Sequence, residues 1–180
     1  MLLCLTATLS WGFSATVIKV SDGDTLLIKQ NGGTKTKIRL YGIDSPEITQ
    51  AYGKASASFT AKTVLNQKVN VKVIETDQYG RLVALITVVN TNINLNEQLV
   101  RQGYAWYYPQ FCHNTTFCNT LKKLEQAARK QKLGLWQDSA PIPPWEFRKL
   151  ASNNNIDDNG IKWLQVLKKI LIELIDFIFQ

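Results

Sequence analysis

Histidine and cysteine are almost missing from this chain of 180 residues, which holds one imidazole, His113, and three thiols. A His-rich zinc or copper site cannot be assembled from that supply, and a Ser-His-Asp triad would depend on the single imidazole. Acidic residues are also few, fourteen against 21 Lys plus Arg, giving a net charge of +7 and a pI near 9.3. Such an excess favours a polyanionic partner, nucleic acid or a membrane surface, without choosing between them. Apolar residues at 45% and charged residues at 19% exclude a disordered or collagen-like chain. The length suits one domain with its own core.

Scarcity makes the placement of the acids informative. Four of the fourteen fall at Asp22, Asp24, Asp44 and Glu47. Carboxylate oxygens are hard ligands that suit calcium or magnesium rather than zinc. Cys112 and Cys118 flank the short stretch CHNTTFC. They are either a disulfide, which an oxidising compartment would let form, or two free thiols. A zinc site from Cys112, His113 and Cys118 lacks a fourth ligand.

The first fifteen residues, MLLCLTATLSWGFSA, carry no charge and are mostly apolar and small. They read as the core of a secretory signal, with Gly12 and Ser14 small enough for a cleavage site, although a basic leading region is missing. The expectation is a secreted or periplasmic protein, with a retained N-terminal anchor or an apolar first strand as the other readings. Fifteen residues are too few to span a bilayer.

From residue 16 the strand signals dominate. TVIKV (16–20), DTLLIKQ (24–30), KTKIRLYGI (35–43), VNVKVIE (69–75) and RLVALITVV (81–89) are rich in β-branched residues, and Asn31-Gly32-Gly33 predicts a hairpin turn. Helices are expected over 54–66, over 95–102 with Asn94 as cap, and over 116–132 with Leu121, Leu124 and Ala128 as the apolar stripe. Five short strands with about three helices inserted point to a small mixed β/α barrel rather than a doubly wound sheet. Beyond Trp136 the sequence reads as a linker over 137–160, Pro-containing and then polar. Residues 161–180 read as an amphipathic helix whose balanced charges argue against a membrane span and for docking on a protein partner or a second copy.

Three stretches carry the chemistry: Asp22-Gly23-Asp24-Thr25, Arg39 to Glu47 (RLYGIDSPE), and Asp77-Gln78-Tyr79-Gly80-Arg81. Each lies where a strand begins or ends, so a barrel can bring them to one rim. Guanidinium groups, a hard-cation site and a spare carboxylate together suit attack by water on a phosphodiester.

With DGDT, IRLYGIDSPE, DQYGR, NEQLVRQGYA and LGLW in this order, residues 16–136 resemble the staphylococcal nuclease (thermonuclease) family, exported bacterial type. PIPPWEFRK resembles the tail that many exported members carry after the domain. The resemblance implies an OB-fold, a five-stranded barrel with helices, and calcium-dependent endonuclease cleavage of DNA and RNA with little sequence specificity. It implies calcium ligation by Asp24, Asp44 and the Ser45 carbonyl, catalysis by Arg39, Glu47 and Arg81, and nucleotide contacts at Tyr79 and Tyr108. Asp22 would support the metal site or its turn. Ser45 stands where the family more often has Thr, and the segment after Glu47 is shorter than in its best-known member. The alternative is a catalytically inert OB-fold module that only binds nucleic acid. The presence of Asp24, Arg39, Asp44, Glu47 and Arg81 separates the two.

Overall fold

A computed structural model describes residues 12–154, together with the isolated positions Leu167 and Ile170. In chain order the elements are β1 (Gly12–Val20), β2 (Thr25–Gln30), β3 (Lys35–Leu40), β4 (Ile43–Asp44), α1 (Gly53–Val64), β5 (Lys68–Thr76), β6 (Leu82–Val88), α2 (Leu95–Arg101), β7 (Trp106–Tyr107), α3 (Thr115–Lys130) and α4 (Pro144–Asn154). Five strands close into a barrel in the order β1-β2-β3-β6-β5. Every pairing in it is antiparallel except β3 with β6, which is parallel. This is the mixed OB-type barrel that the sequence predicts, with a fourth helix added.

Side-chain alternation explains the closure. Val69, Val71 and Val73 of β5 point inward while their neighbours are exposed, and Ile38 and Leu40 of β3 are buried on either side of the half-buried Arg39. They meet Val17, Leu26, Ile28 and Ile86 in the barrel interior, where each large apolar side chain contributes about 1.5–3 kcal/mol by leaving water. α1 and α2 pack on each other, and α2 packs on α3 and on β6. Asn96 of α2 is fully buried and fully used. Its Oδ1 accepts from the Ile86 N–H, and its Nδ2 donates to the carbonyls of Tyr41 and Ala84. It thereby fastens the turn that leads into Asp44 to the barrel wall.

Two stretches differ from the sequence reading. Residues 12–15, placed by that reading in the signal segment, open β1 and pair with β5, Phe13 opposite Val71 and Ala15 opposite Val69. Small apolar residues serve a signal core and a buried strand equally well, so composition could not separate the two. Residues 144–154, read as part of a linker, form α4. Pro144 stands at its first position, where its missing N–H costs nothing, and Ile142 and Phe147 are buried beside it. The rest of the expected signal segment, and the helix expected over 161–180 apart from Leu167 and Ile170, lie outside the described residues. Among the described residues no helix is long and apolar enough to cross a membrane.

Cys112 and Cys118 form a disulfide that ties the loop after β7 to the first turn of α3. The Tyr41 hydroxyl oxygen accepts from the backbone N–H groups of His113 and Asn114 in that loop. Trp106 is buried among Trp136, Trp145 and Ala128, with the Arg129 guanidinium lying over both Trp106 and Trp136. Its role is core packing, as the sequence reading preferred.

Candidate active site

The turn before β2 sets the first acid. Asp22 Oδ1 accepts from the Asp24 N–H at 3.0 Å, and the Thr60 hydroxyl donates to the Gly23 carbonyl at 2.7 Å. A Cβ on Gly23 would lie 2.0 Å from Ser56 Oγ and 2.6 Å from Ser45 Cβ, so only glycine lets α1 and Ser45 close over this turn. The Leu40 N–H bonds the Asp24 carbonyl, which sets the end of β3, with Arg39, beside the start of β2. β4 pairs with β7, Asp44 opposite Trp106, and so brings the second acid to the same rim.

Arg39 joins the two acids, with Nη1 2.8 Å from Asp24 Oδ2 and Nη2 2.8 Å from Asp44 Oδ1. Asp24 Oδ2 also accepts from the Ser45 N–H at 2.6 Å. Burial pushes the Asp24 carboxyl up to about 7; Arg39 opposes this, and the neighbouring charges of Asp22 and Asp44 add to it. On the β5–β6 hairpin, Asp77 Oδ1 accepts from the N–H groups of Tyr79 and Arg81, and Asp77 Oδ2 takes Arg81 Nε at 2.7 Å. Slight burial raises the Asp77 pKa, but these bonds from Arg81 and Tyr79 outweigh it and hold the carboxyl below its ordinary value. The Arg81 guanidinium lies 5.4 Å from the centre of the Tyr79 ring, and Tyr79 is 74% exposed.

Asp22, Asp24, Arg39, Asp44, Ser45, Glu47, Tyr79, Arg81 and Tyr108 all line one cleft of about 710 Å³. Every site residue singled out from sequence therefore meets the others at one barrel rim. Tyr108 stacks on Trp145, ring centres 5.0 Å apart and planes 4° from parallel.

Arg148 of α4 lines the same cleft and was not singled out from sequence. Its Nη2 lies 2.9 Å from Asp44 Oδ2, and its Nη1 lies 2.7 Å from Glu47 Oε1. Burial works against its charge, yet the bonds to Asp44 and Glu47 prevail and raise its pKa. Local sequence goes only as far as placing it on a helix: in PPWEFRK a proline opens a helix that sets Trp145 and Arg148 three residues apart, hence on one face, and says nothing of Asp44 or Glu47.

The donor set fits a hard divalent cation. Six carboxylates, Asp22, Asp24, Asp44, Glu47, Glu75 and Asp77, line the cleft with three guanidinium groups, Arg39, Arg81 and Arg148. Carboxylates thus outnumber cations there, and the donors they offer a metal are all oxygen. Ser45 Oγ is buried there with no hydrogen-bond partner. Among the described residues no three His, Cys, Asp or Glu side chains are grouped to hold a metal, so the side chains offer two close acids and not a closed cage.

A closed OB-type barrel with acids and arginines gathered in one rim cleft has the site of a protein that meets an anionic ligand. The particular family follows from comparison with known proteins. Residues 37–138 match the family model described as staphylococcal nuclease homologue, a span that includes Arg39, Asp44, Ser45, Glu47, Tyr79, Arg81 and Tyr108. An Escherichia coli protein named "Uncharacterized endonuclease" is 38% identical over 132 residues, 73% of this chain and 82% of its own. A Haemophilus influenzae protein of the same name is 35% identical over 138 residues, 77% of this chain and 74% of its own. A Shigella flexneri protein named "Micrococcal nuclease" is 32% identical over 148 residues, 78% of this chain and 83% of its own. The chain belongs to the staphylococcal nuclease family.

Proposed function

We propose that this nuclease is a calcium-dependent endonuclease that hydrolyses the phosphodiester bonds of DNA and RNA with little sequence preference. The observation that carries the reading is the meeting of Asp24, Asp44, Arg39, Glu47 and Arg81 in one cleft. Asp24, Asp44 and the Ser45 carbonyl would hold calcium, which when bound supplies positive charge to the phosphate oxygens. Arg39 and Arg81 donate to the non-bridging oxygens as negative charge builds on them, and the planar fork of Arg gives two donors to one phosphate. Glu47 takes the proton of the attacking water. Asp22 holds the Asp24 turn. Tyr79 offers an exposed ring face for bases, a contact indifferent to sequence, and Tyr108, with one face taken by Trp145, would line the nucleotide's path. The Cys112–Cys118 disulfide supports a secreted or periplasmic location.

Glu47→Gln keeps the shape of the side chain and removes its basicity. Turnover of single-stranded DNA in calcium should fall by about 100-fold or more, while affinity for the same strand, measured by fluorescence anisotropy, stays within about twofold. Equal loss of both would show that Glu47 holds substrate rather than activating water. Binding without cleavage by the unaltered chain would establish the inert module instead.

A further inference from the structure

Glu47 sits in a stretch that belongs to neither helix nor strand, yet it is held from two sides by the chain's tail. On the backbone side the intermediary is Gln50, a buried amide. Its Oε1 accepts from the Glu47 N–H at 3.2 Å, and its Nε2 donates to the Ile142 carbonyl at 2.6 Å. On the side-chain side, Arg148 bridges Glu47 Oε1 at 2.7 Å to both oxygens of Asp44, at 2.9 and 3.3 Å. The two anchor points, Ile142 and Arg148, are themselves fixed. Ile142 is buried next to Phe147, and Trp145 stacks on Tyr108 and meets Trp106 edge-on at 5.6 Å.

We propose that residues 142–148 are a positioning device for Glu47, in which Arg148 fixes the carboxylate relative to Asp44 and Gln50 fixes the backbone that carries it. This rests on the reading of Glu47 as the group that activates water. The arrangement favours positioning over obstruction, because Arg148 engages only Oε1 and leaves Glu47 Oε2 without a partner among the described residues. A carboxylate on an irregular stretch loses precision through its own rotamers, and a fork shared with a neighbouring acid removes that freedom. Arg148 is a positioning residue, since it acts through Glu47.

The test is steady-state cleavage of a fluorescent single-stranded oligonucleotide by the full chain at saturating calcium. Arg148→Ala should lower kcat by about 10-fold, with KM within about twofold, since partners that orient a catalytic group typically carry effects of this size. The melting temperature should fall, because Asp44 loses one of its two guanidinium partners, but the variant should stay folded at the assay temperature. Arg148→Lys keeps the charge but not the fork and should recover only part of the loss. In a Glu47→Gln background, Arg148→Ala should cost nothing further. A rise in kcat would make the contact a restraint and overturn the proposal. So would a raised KM with unchanged kcat, or the same loss with Glu47 already replaced. If Glu47→Gln alone leaves turnover intact, the reading of Glu47 as the base fails. If that variant is inactive and Arg148→Ala is unaffected, only the positioning role fails.

Discussion

Arg39→Ala should destabilise the calcium-free protein by about 3 kcal/mol and reduce cleavage by 100-fold or more, about the cost of removing one donor to a developing oxyanion. Arg39 lies between two buried acids, 2.8 Å from each, and among the described residues it is the one cation bonded to Asp24. Burial already pushes the Asp24 carboxyl up to about 7 with Arg39 opposing the rise. Without the guanidinium, Asp44 keeps Arg148 but Asp24 is left a buried acid with no bonded cation, and the fold carries that cost. A cation that binds the folded state alone stabilises it by mass action, so added calcium should return part of the lost stability. Urea unfolding of the variant in calcium and in EGTA measures this directly. A variant equally destabilised in both, or one that still cleaves at the normal rate, contradicts the placement of the cation beside Asp24 and Asp44.

Gly53→Ala should inactivate the enzyme although the residue touches no substrate. Gly53 opens α1, where helix propensity alone would favour alanine by about 1 kcal/mol. Its added Cβ would lie 1.7 Å from the Glu47 carbonyl oxygen and 3.0 Å from the Ile48 Cα. Those are backbone atoms, so the clash cannot be relieved by turning a side chain; the stretch carrying Glu47 must move. A displacement of about 1 Å in a catalytic group costs on the order of 100-fold in rate. The expected result is a fall in kcat of that size with calcium affinity kept, because the Asp24 turn and β4 are not touched. Normal kcat in Gly53→Ala would show that the position of Glu47 does not limit the rate.

The barrel was legible because its strands obey a period of two. Val69, Val71 and Val73, like Ile38 and Leu40, announce their inward face in the sequence, and closure follows from burying those faces together. The site was legible for a different reason. Asp22, Asp24, Asp44 and Glu47 are polar residues at strand ends in a chain poor in acids, and strand ends on one barrel rim come together. Helix ends were readable where a side chain caps them, as Asn94 and Asn114 do for α2 and α3.

What was not legible depended on contacts between residues far apart in the chain. Arg148 stands 101 residues after Glu47, and no local pattern marks one arginine in a basic chain as the partner of two particular acids. The prolines at 141, 143 and 144 read as a stiff spacer because their composition says only that the chain cannot be helical through them. That the last one opens α4 depends on Trp145 and Phe147 finding apolar neighbours. Residues 12–15 read either as part of a signal or as an apolar first strand, because β1 needs its partner β5 to be recognised as a strand. Gly53 gave no signal at all, since its requirement is the proximity of the Glu47 backbone and not a backbone angle of its own.

In the proposed function, a hard cation beside Asp24 and Asp44, with the acids and arginines around it, cuts nucleic acid. The most direct measurement is digestion of single-stranded DNA and of RNA by the full chain in calcium, repeated with excess EGTA, and then with Asp24→Asn and Asp44→Asn. The account predicts cleavage of both polymers within the strand in calcium, none in EGTA, and none by either variant at the same calcium concentration. Undiminished cleavage in EGTA, or by both variants, would contradict it.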